Sequence, residues 1–216
     1  MSIRRDILDE LLKEAETSFL HGTVLDIGGK KNNKRGAWRP SPQSELTWLY
    51  LNLDSETLPD HLRPADNTGL EKSSIDSFTM CELLEHVENP RAVLIEARRI
   101  LRPDGVGFIT MPFLNQVHAD PNDFQRWTPT KLRAVLESSG FRVEKLTPMG
   151  SVFAVIFDLL LASISRWQAN SPRPILARGS RVALNGLKPL FQAVDRKAAR
   201  LGDWITTGWC VKVRAE

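Results

Sequence analysis

The sequence predicts an α/β protein with a mostly parallel sheet, and three observations carry that prediction. Short apolar runs of strand length alternate with segments of helical periodicity along most of the 216 residues. The first of these runs ends in a glycine pair, Gly28-Gly29, where a parallel strand must turn sharply. Acids recur just where strands end, at Asp54 and Asp66, and one, Asp26, stands inside a run that is otherwise apolar.

In order along the chain, Ile3, Ile7, Leu8, Leu11, Leu12 and Ala15 fall at helical spacing among charges, which predicts an amphipathic helix over 2–19. Residues 23–27 read as the first strand. The basic stretch 30–43, with Lys30, Lys31, Lys34, Arg35, Trp38, Pro40 and Pro42, has no periodicity and reads as a loop. Further strands are expected at 47–53, 62–65, 74–81, 106–111 and 141–146. Asn89-Pro90 starts a helix, Asn as cap and Pro at its first position, and 102–105 (RPDG) ends it in a turn. A helix over 129–139 closes at Gly140. Beyond it, 151–167 and 181–201 look helical, separated by 170–174 (NSPRP), and 205–213 alternates like a final strand.

With 42% hydrophobic and 25% charged residues the composition is that of an ordinary globular protein and excludes disorder for the bulk of the chain. One domain over 1–216 is expected, divided into an N-terminal helix (1–20), a core (23–148), a helical insertion (149–204) and a last strand (205–214). Cys81 and Cys210 lack C-x-x-C spacing and no metal site is expected in the chain, and without a secretory signal a cytoplasmic setting is expected. The apolar run 151–164 is short for a spanning helix, which needs ~20 residues, so it is expected in the core or at an interface. The net charge of +3 divides unevenly: residues 166–216 hold 10 basic and 3 acidic residues, which suits either an anionic partner or a solvated helix face.

In an open α/β sheet ligands gather outside the carboxyl ends of the strands. That edge would collect Asp26 with its glycines, Asp54, Asp66 and the Cys81-Glu82 turn. Asp54 suits the paired hydroxyls of a ribose and Asp66 an adenine amino group. A bare D-x-G-G is also only a tight turn with a capping acid.

The order VLDIGG (24–29), YLNLD (50–54), AD (65–66) and then 74–113, beginning SIDSFTMCELLEHVENP, resembles the class I S-adenosylmethionine-dependent methyltransferases with a D-x-G-x-G first motif and an E-x-L-E-H-V segment. The likeness spans 24–146. A narrower one joins His118, Pro121, Asp123, Phe124, Arg126, Trp127 and Thr128 to the H-x-x-P-x-D-[YF]-x-R-[YFW]-T signature of a subgroup often encoded among polysaccharide-biosynthesis genes. The resemblance implies a Rossmann-like, three-layer, seven-stranded sheet whose last strand is antiparallel beside the sixth. It implies S-adenosylmethionine as cofactor, with Asp26, Gly28 and Gly29 bordering its methionine part. Asp54 falls on the ribose, Asp66 near adenine, and Cys81 and Glu82 at the loop that closes over it. Lys30 departs from the family, which has glycine there.

Methyl transfer is an in-line displacement, and a hydroxyl acceptor must also lose its proton. His118, just past the fifth strand, is the candidate general base; Asp123 orients it or binds substrate, and Arg126 holds an anionic group. Asp123 and Arg126 also suit a simple loop brace, and His86 reads as structural. The expected activity is O-methylation of a sugar or glycan-like hydroxyl. Lipid-linked, RNA or small-metabolite acceptors are alternatives, as is a non-catalytic binding protein on this fold. No nucleic-acid-binding module is recognisable, and peripheral membrane contact through 151–204 is an option left by its apolar and basic character.

Overall fold

The computed structural model describes residues 1–32, 36–118, 122–171, 174–199 and 205–216. Lys34, Arg35, Pro121, Pro172, Arg173 and the last two residues of the expected 181–201 helix lie outside them.

Seven strands form one sheet: β1 (Thr23–Ile27), β2 (Thr47–Asn52), β3 (His61–Leu62), β4 (Ile75–Cys81), β5 (Leu101–Pro112), β6 (Phe141–Pro148) and β7 (Gly208–Ala215). Their order is β3-β2-β1-β4-β5-β7-β6, with every pairing from β3 to β5 parallel. β7 runs antiparallel and sits between β5 and β6, so it completes the sheet rather than lengthening its edge. This is the Rossmann-like methyltransferase architecture, and its point of strand-order reversal lies at β1 and β4.

Helices α1 (Ile3–Ser18), α2 (Pro90–Ile100), α3 (Pro129–Ser138), α4 (Val152–Asn170) and α5 (Pro174–Ala198) surround the sheet. α2 and α3 bury Val93, Leu94, Ala97, Ile100, Leu132 and Leu136 with Leu25, Ile27, Phe78 and Met80 on one face. α1 buries Leu8, Leu12 and Ala15 with Val24 and Phe108 on the other. α4 and α5 pack Ala154, Phe157, Leu161 and Leu184 against Ile3, at the start of α1.

Several boundaries differ from expectation, each for a physical reason. β3 stops at Leu62 because Pro64 has no N–H for the ladder. The turn expected at 102–105 is absorbed into β5: the ladder pairs Ile75 with Leu101 and resumes at Ser77 and Val106, leaving a bulge with Asp104 at φ +63°. β7 begins at Gly208 rather than 205, since the Thr206 and Thr207 hydroxyls donate to the Met149 carbonyl at 3.0 and 2.6 Å. α5 begins at Pro174, seven residues before the expected start, and carries Pro189 within it. α4 outlasts the apolar run and reaches 19 residues, which by length and composition alone is enough to cross a membrane.

Two buried aspartates tie the helical layer together. Asp195 of α5 accepts from the Ser151 N–H, the Ser151 hydroxyl and the Ala154 N–H at 2.9, 2.6 and 2.9 Å, so it caps α4. Asp158 of α4 accepts from the N–H groups of Ile3 and Arg4 at 2.7 and 3.0 Å, so it caps α1. Each carboxylate meets a helix N-terminus, where the aligned peptide dipoles favour negative charge. The charge at Asp158, an oddity within an apolar run, therefore fixes where Arg4 stands.

Candidate active site

A cavity of about 1050 Å³ opens over the carboxyl ends of β1, β2 and β4. Gly28, Lys30, Asn52, Asp54, Asp66, Glu82 and His86 are among its walls. Gly28 has φ +81°, and a Cβ there would meet the Leu83 side chain at 3.0 Å, so glycine keeps this floor open. The Asn52 amide donates to the carbonyls of Gly28 and Gly29 at 3.0 and 2.8 Å, fixing the turn. Asp54 is exposed at the rim and accepts from the Glu56 N–H at 2.9 Å through one oxygen. Asp66 rides on a loop pinned from behind: Glu96 accepts from the Thr68 N–H and hydroxyl at 2.9 and 2.6 Å. The Arg99 guanidinium beside Glu96 holds that carboxyl down at about 2.

Asp26, Gly29 and Cys81 are not walls of this cavity, and strand alternation explains why. On β1, Leu25 and Ile27 face the α2–α3 core, so Asp26 turns with Val24 toward the α1 face. Cys81 does the same on β4 and packs against the second core cluster. The Asp26 carboxylate accepts from the Thr79 hydroxyl at 2.8 Å, and a Cβ on Gly29 would lie 2.0 Å from it. Burial pushes its pKa up to about 6, the Thr79 bond opposing. Asp26 shapes the glycine turn from behind.

A second cavity, about 520 Å³, lies between the N-terminal segment, the loop after β5 and α4. Arg4, Asn115, Gln116, His118, Asp158, Leu159 and Arg166 are among its walls. Two contacts join the cavities. Arg4, from the second, forms an ion pair with Glu82, from the first; burial lowers the Arg4 pKa to about 10. Glu82 itself sits at φ +55°, uncommon outside glycine, with its other oxygen 3.1 Å from the Thr110 hydroxyl. The rings of His86, from the first cavity, and His118, from the second, meet edge-on with centroids 5.1 Å apart.

Beneath that ring pair lies Glu85, fully buried, in the short 3₁₀ turn Leu84–His86. Among the described residues neither of its carboxylate oxygens has a hydrogen-bond partner. His86 Nε2 is 3.5 Å and His118 Nε2 4.0 Å from Glu85 Oε1. Asp123 pairs with both terminal nitrogens of Arg126 and accepts from the His118 N–H at 2.9 Å, which holds its pKa at about 2. So Asp123 and Arg126 do brace the loop, and the brace carries His118. Gln125 fastens the same loop to the Leu84 and Val87 carbonyls at 2.9 and 3.0 Å. Desolvation lowers the His118 pKa, leaving its ring neutral at physiological pH.

The family model described as a methyltransferase domain matches residues 50–109, the segment from β2 to β5 that supplies Asp54, Asp66, Glu82, Glu85 and His86. No curated protein matches the chain. Among solved structures it is similar to a putative sarcosine dimethylglycine methyltransferase from Galdieria sulphuraria, at 14% identity, TM-score 0.59, and coverage of 98% of this chain and 84% of that one. It is similar to an S-adenosylmethionine-dependent methyltransferase from Archaeoglobus fulgidus at 13% identity, TM-score 0.58, covering 97% and 94%. The cyclase SpnF has the fold too, at 15% identity, TM-score 0.59, covering 97% and 80%. Family model and fold agree. Over β2 to β5 the chain resembles the methyltransferase-domain family, and its fold is the one these structures share.

The first cavity fits S-adenosylmethionine, the cofactor that the resemblance implies. It joins a glycine floor that admits close approach to two carboxylates suited to hydroxyls and an amine. Of the residues expected at the cofactor, Gly28, Asp54, Asp66 and Glu82 line that cavity, while Asp26, Gly29 and Cys81 stand behind it. Of the acceptor-side residues, His118 lines the second cavity and Asp123 and Arg126 position it. Sequence reasoning missed Arg4, Glu85 and Asp158. The one available signal was charge at positions otherwise apolar or bound for burial.

Proposed function

We propose that this enzyme methylates a hydroxyl of a sugar or glycan-like acceptor, seated in the second cavity, using S-adenosylmethionine seated in the first. The observation that carries the reading is the meeting of the two cavities at His86 and His118. When bound, S-adenosylmethionine supplies a methyl carbon on a sulfonium; that S–C bond breaks as the O–C bond forms. Asp54 and Asp66 hold the nucleoside, and Gly28 admits it to the strand ends. His118, neutral and braced by Asp123, takes the acceptor proton through Nε2. Arg166 adds a cation to the acceptor cavity, where Arg4 is paired with Glu82, and it suits an acceptor bearing carboxylate or phosphate. The glycan assignment is supported by the likeness of 118–128 to the polysaccharide-associated subgroup. The setting is cytoplasmic, in keeping with the free thiols Cys81 and Cys210.

The test is transfer of labelled methyl from S-adenosylmethionine to a panel of sugars, nucleotide sugars and lipid-linked glycans. Turnover on sugars, lost in His118→Ala, supports the reading; transfer only to acceptors without a hydroxyl overturns it. One observation favours a lipid-linked acceptor: Ile156, Leu159 and Leu160 of α4 and Leu176, Val182 and Leu190 of α5 are exposed, and Leu159 also lines the acceptor cavity. Sedimentation with acidic vesicles that leaves the protein in the supernatant removes that version.

A further inference from the structure

We propose that Glu85, His86 and His118 form a binding site for a divalent transition-metal ion, of the Zn²⁺, Co²⁺ or Mn²⁺ kind, that coordinates the acceptor hydroxyl. The site is assembled from a three-residue turn behind β4 and the loop behind β5. Three ligand atoms, one from each side chain, lie within 4.8 Å of one another.

The carboxylate comes first. Glu85 is fully buried, yet among the described residues both of its oxygens lack a hydrogen-bond partner. A buried carboxylate in that condition costs several kcal/mol of lost hydration unless it is neutralised or coordinated. Arg4 and Arg126 offset its burial only in part and without a hydrogen bond to it, since Arg4 is paired with Glu82 and Arg126 with Asp123.

The two imidazoles are presented as ligands are. His86 Nδ1 is 2.5 Å from the Asn122 carbonyl and His118 Nδ1 3.2 Å from the Gln116 carbonyl. A carbonyl can only accept, so each Nδ1 carries the proton, and each Nε2 keeps its lone pair, at 3.5 Å in His86 and 4.0 Å in His118 from Glu85 Oε1. An Nδ1–H held by a backbone carbonyl is the arrangement that fixes a metal-binding histidine's tautomer and ring orientation. With bonds of about 2.0 to 2.2 Å, tetrahedral ligand atoms stand roughly 3.5 Å apart. The Glu85–His86 separation of 3.5 Å already matches; His118, part-exposed, stands 4.0 Å from Glu85 and moves inward to complete the set. Imidazole with carboxylate suits Zn²⁺, Co²⁺ and Mn²⁺ better than Mg²⁺ or Ca²⁺.

Three protein ligands leave coordination positions open between the two cavities. A hydroxyl bound there loses its proton at far lower pH than in water. The inference rests on the proposed hydroxyl acceptor and changes what His118 does. With the ion bound, its Nε2 is a ligand, and the acceptor proton passes from the coordinated hydroxyl to water.

The experiment is calorimetric titration of chelator-treated full-length protein with Co²⁺, Zn²⁺ and Mn²⁺ in turn, with S-adenosylhomocysteine titrated into the same samples. Expected is one ion per chain for at least one of the three, weakened by about tenfold or more in both His118→Ala and Glu85→Gln. S-Adenosylhomocysteine affinity, which reports folding and the cofactor cavity, is expected to be unchanged in His118→Ala. For bound Co²⁺, visible absorption bands that vanish in His118→Ala place the ion at the cluster. No stoichiometric binding by any of the three, or undiminished binding in His118→Ala, overturns the site. S-Adenosylhomocysteine binding without ion binding sinks this inference and leaves the methyltransferase reading standing; ion binding without S-adenosylhomocysteine binding keeps the ion site and overturns both methyl transfer and the ion's part in it.

Discussion

The two cavities that meet at His86 and His118 are built by different means. The cavity proposed for the cofactor is made where parallel strands end: a glycine turn after β1, one carboxylate after β2, another after β3, and Glu82 after β4. Each of those residues is placed by its own strand. The cavity proposed for the acceptor is made from side chains whose positions depend on helix ends tied across the chain, Asp158 to Ile3 and Arg4, and Asp195 to Ser151. The first kind of site survives local changes one residue at a time. The second kind fails as a unit when a tie is cut.

The largest expected effect separates the two. His118→Ala lowers kcat by about 10²–10⁴-fold, and calorimetry with S-adenosylhomocysteine shows the affinity of the parent protein. If affinity falls with turnover, the cavities are not separate in function. On the other side, Asp54→Asn weakens S-adenosylmethionine by about 10–100-fold while the amide oxygen keeps the Glu56 cap. Unchanged affinity would remove Asp54 from the ribose.

A third substitution tests the ties. Asp158→Ala strands the Ile3 and Arg4 N–H groups at the buried start of α1 and costs about 2 kcal/mol in urea denaturation. It raises KM for the acceptor and leaves cofactor affinity alone. A stability equal to the parent's would show that the cap does not hold α1 to α4.

The legibility of the chain follows the same division. β1 matches its expected bounds, and the Asn89-Pro90 helix start stands where expected, with the Asn89 side chain accepting from the Ala92 N–H at 3.2 Å. These signals are local: strand period, cap and glycine turn all lie within a few residues. Which face Asp26 would take depends on strand parity and on which helices cover each face, so its place behind the turn was not legible from the motif. Asp158 and Asp195 act across 155 and 44 residues of chain, where no local pattern reaches. Glu85 was hidden inside a motif whose other members drew the reading, and its lack of partners exists only in three dimensions.

The smallest expected effect concerns Asp26. Its folded pKa, about 6, lies above the ordinary carboxylate value, so its contribution to stability is present below about pH 4 and is lost as pH rises through 6. Asp26→Asn flattens that part of the stability profile. At pH 7.5 it raises Tm by roughly 2–4 °C, the weaker Thr79 bond offsetting part of the gain. Cofactor affinity stays within about threefold, against the larger loss in Asp54→Asn. A loss as large in Asp26→Asn would give the acid a binding role.

The most direct test of the division is calorimetric titration of S-adenosylhomocysteine into three proteins side by side: the parent, Asp54→Asn and His118→Ala. The account predicts one site per chain in the parent, the same affinity in His118→Ala and a weakened one in Asp54→Asn. Affinity lost in His118→Ala but kept in Asp54→Asn would place the cofactor in the other cavity and contradict it.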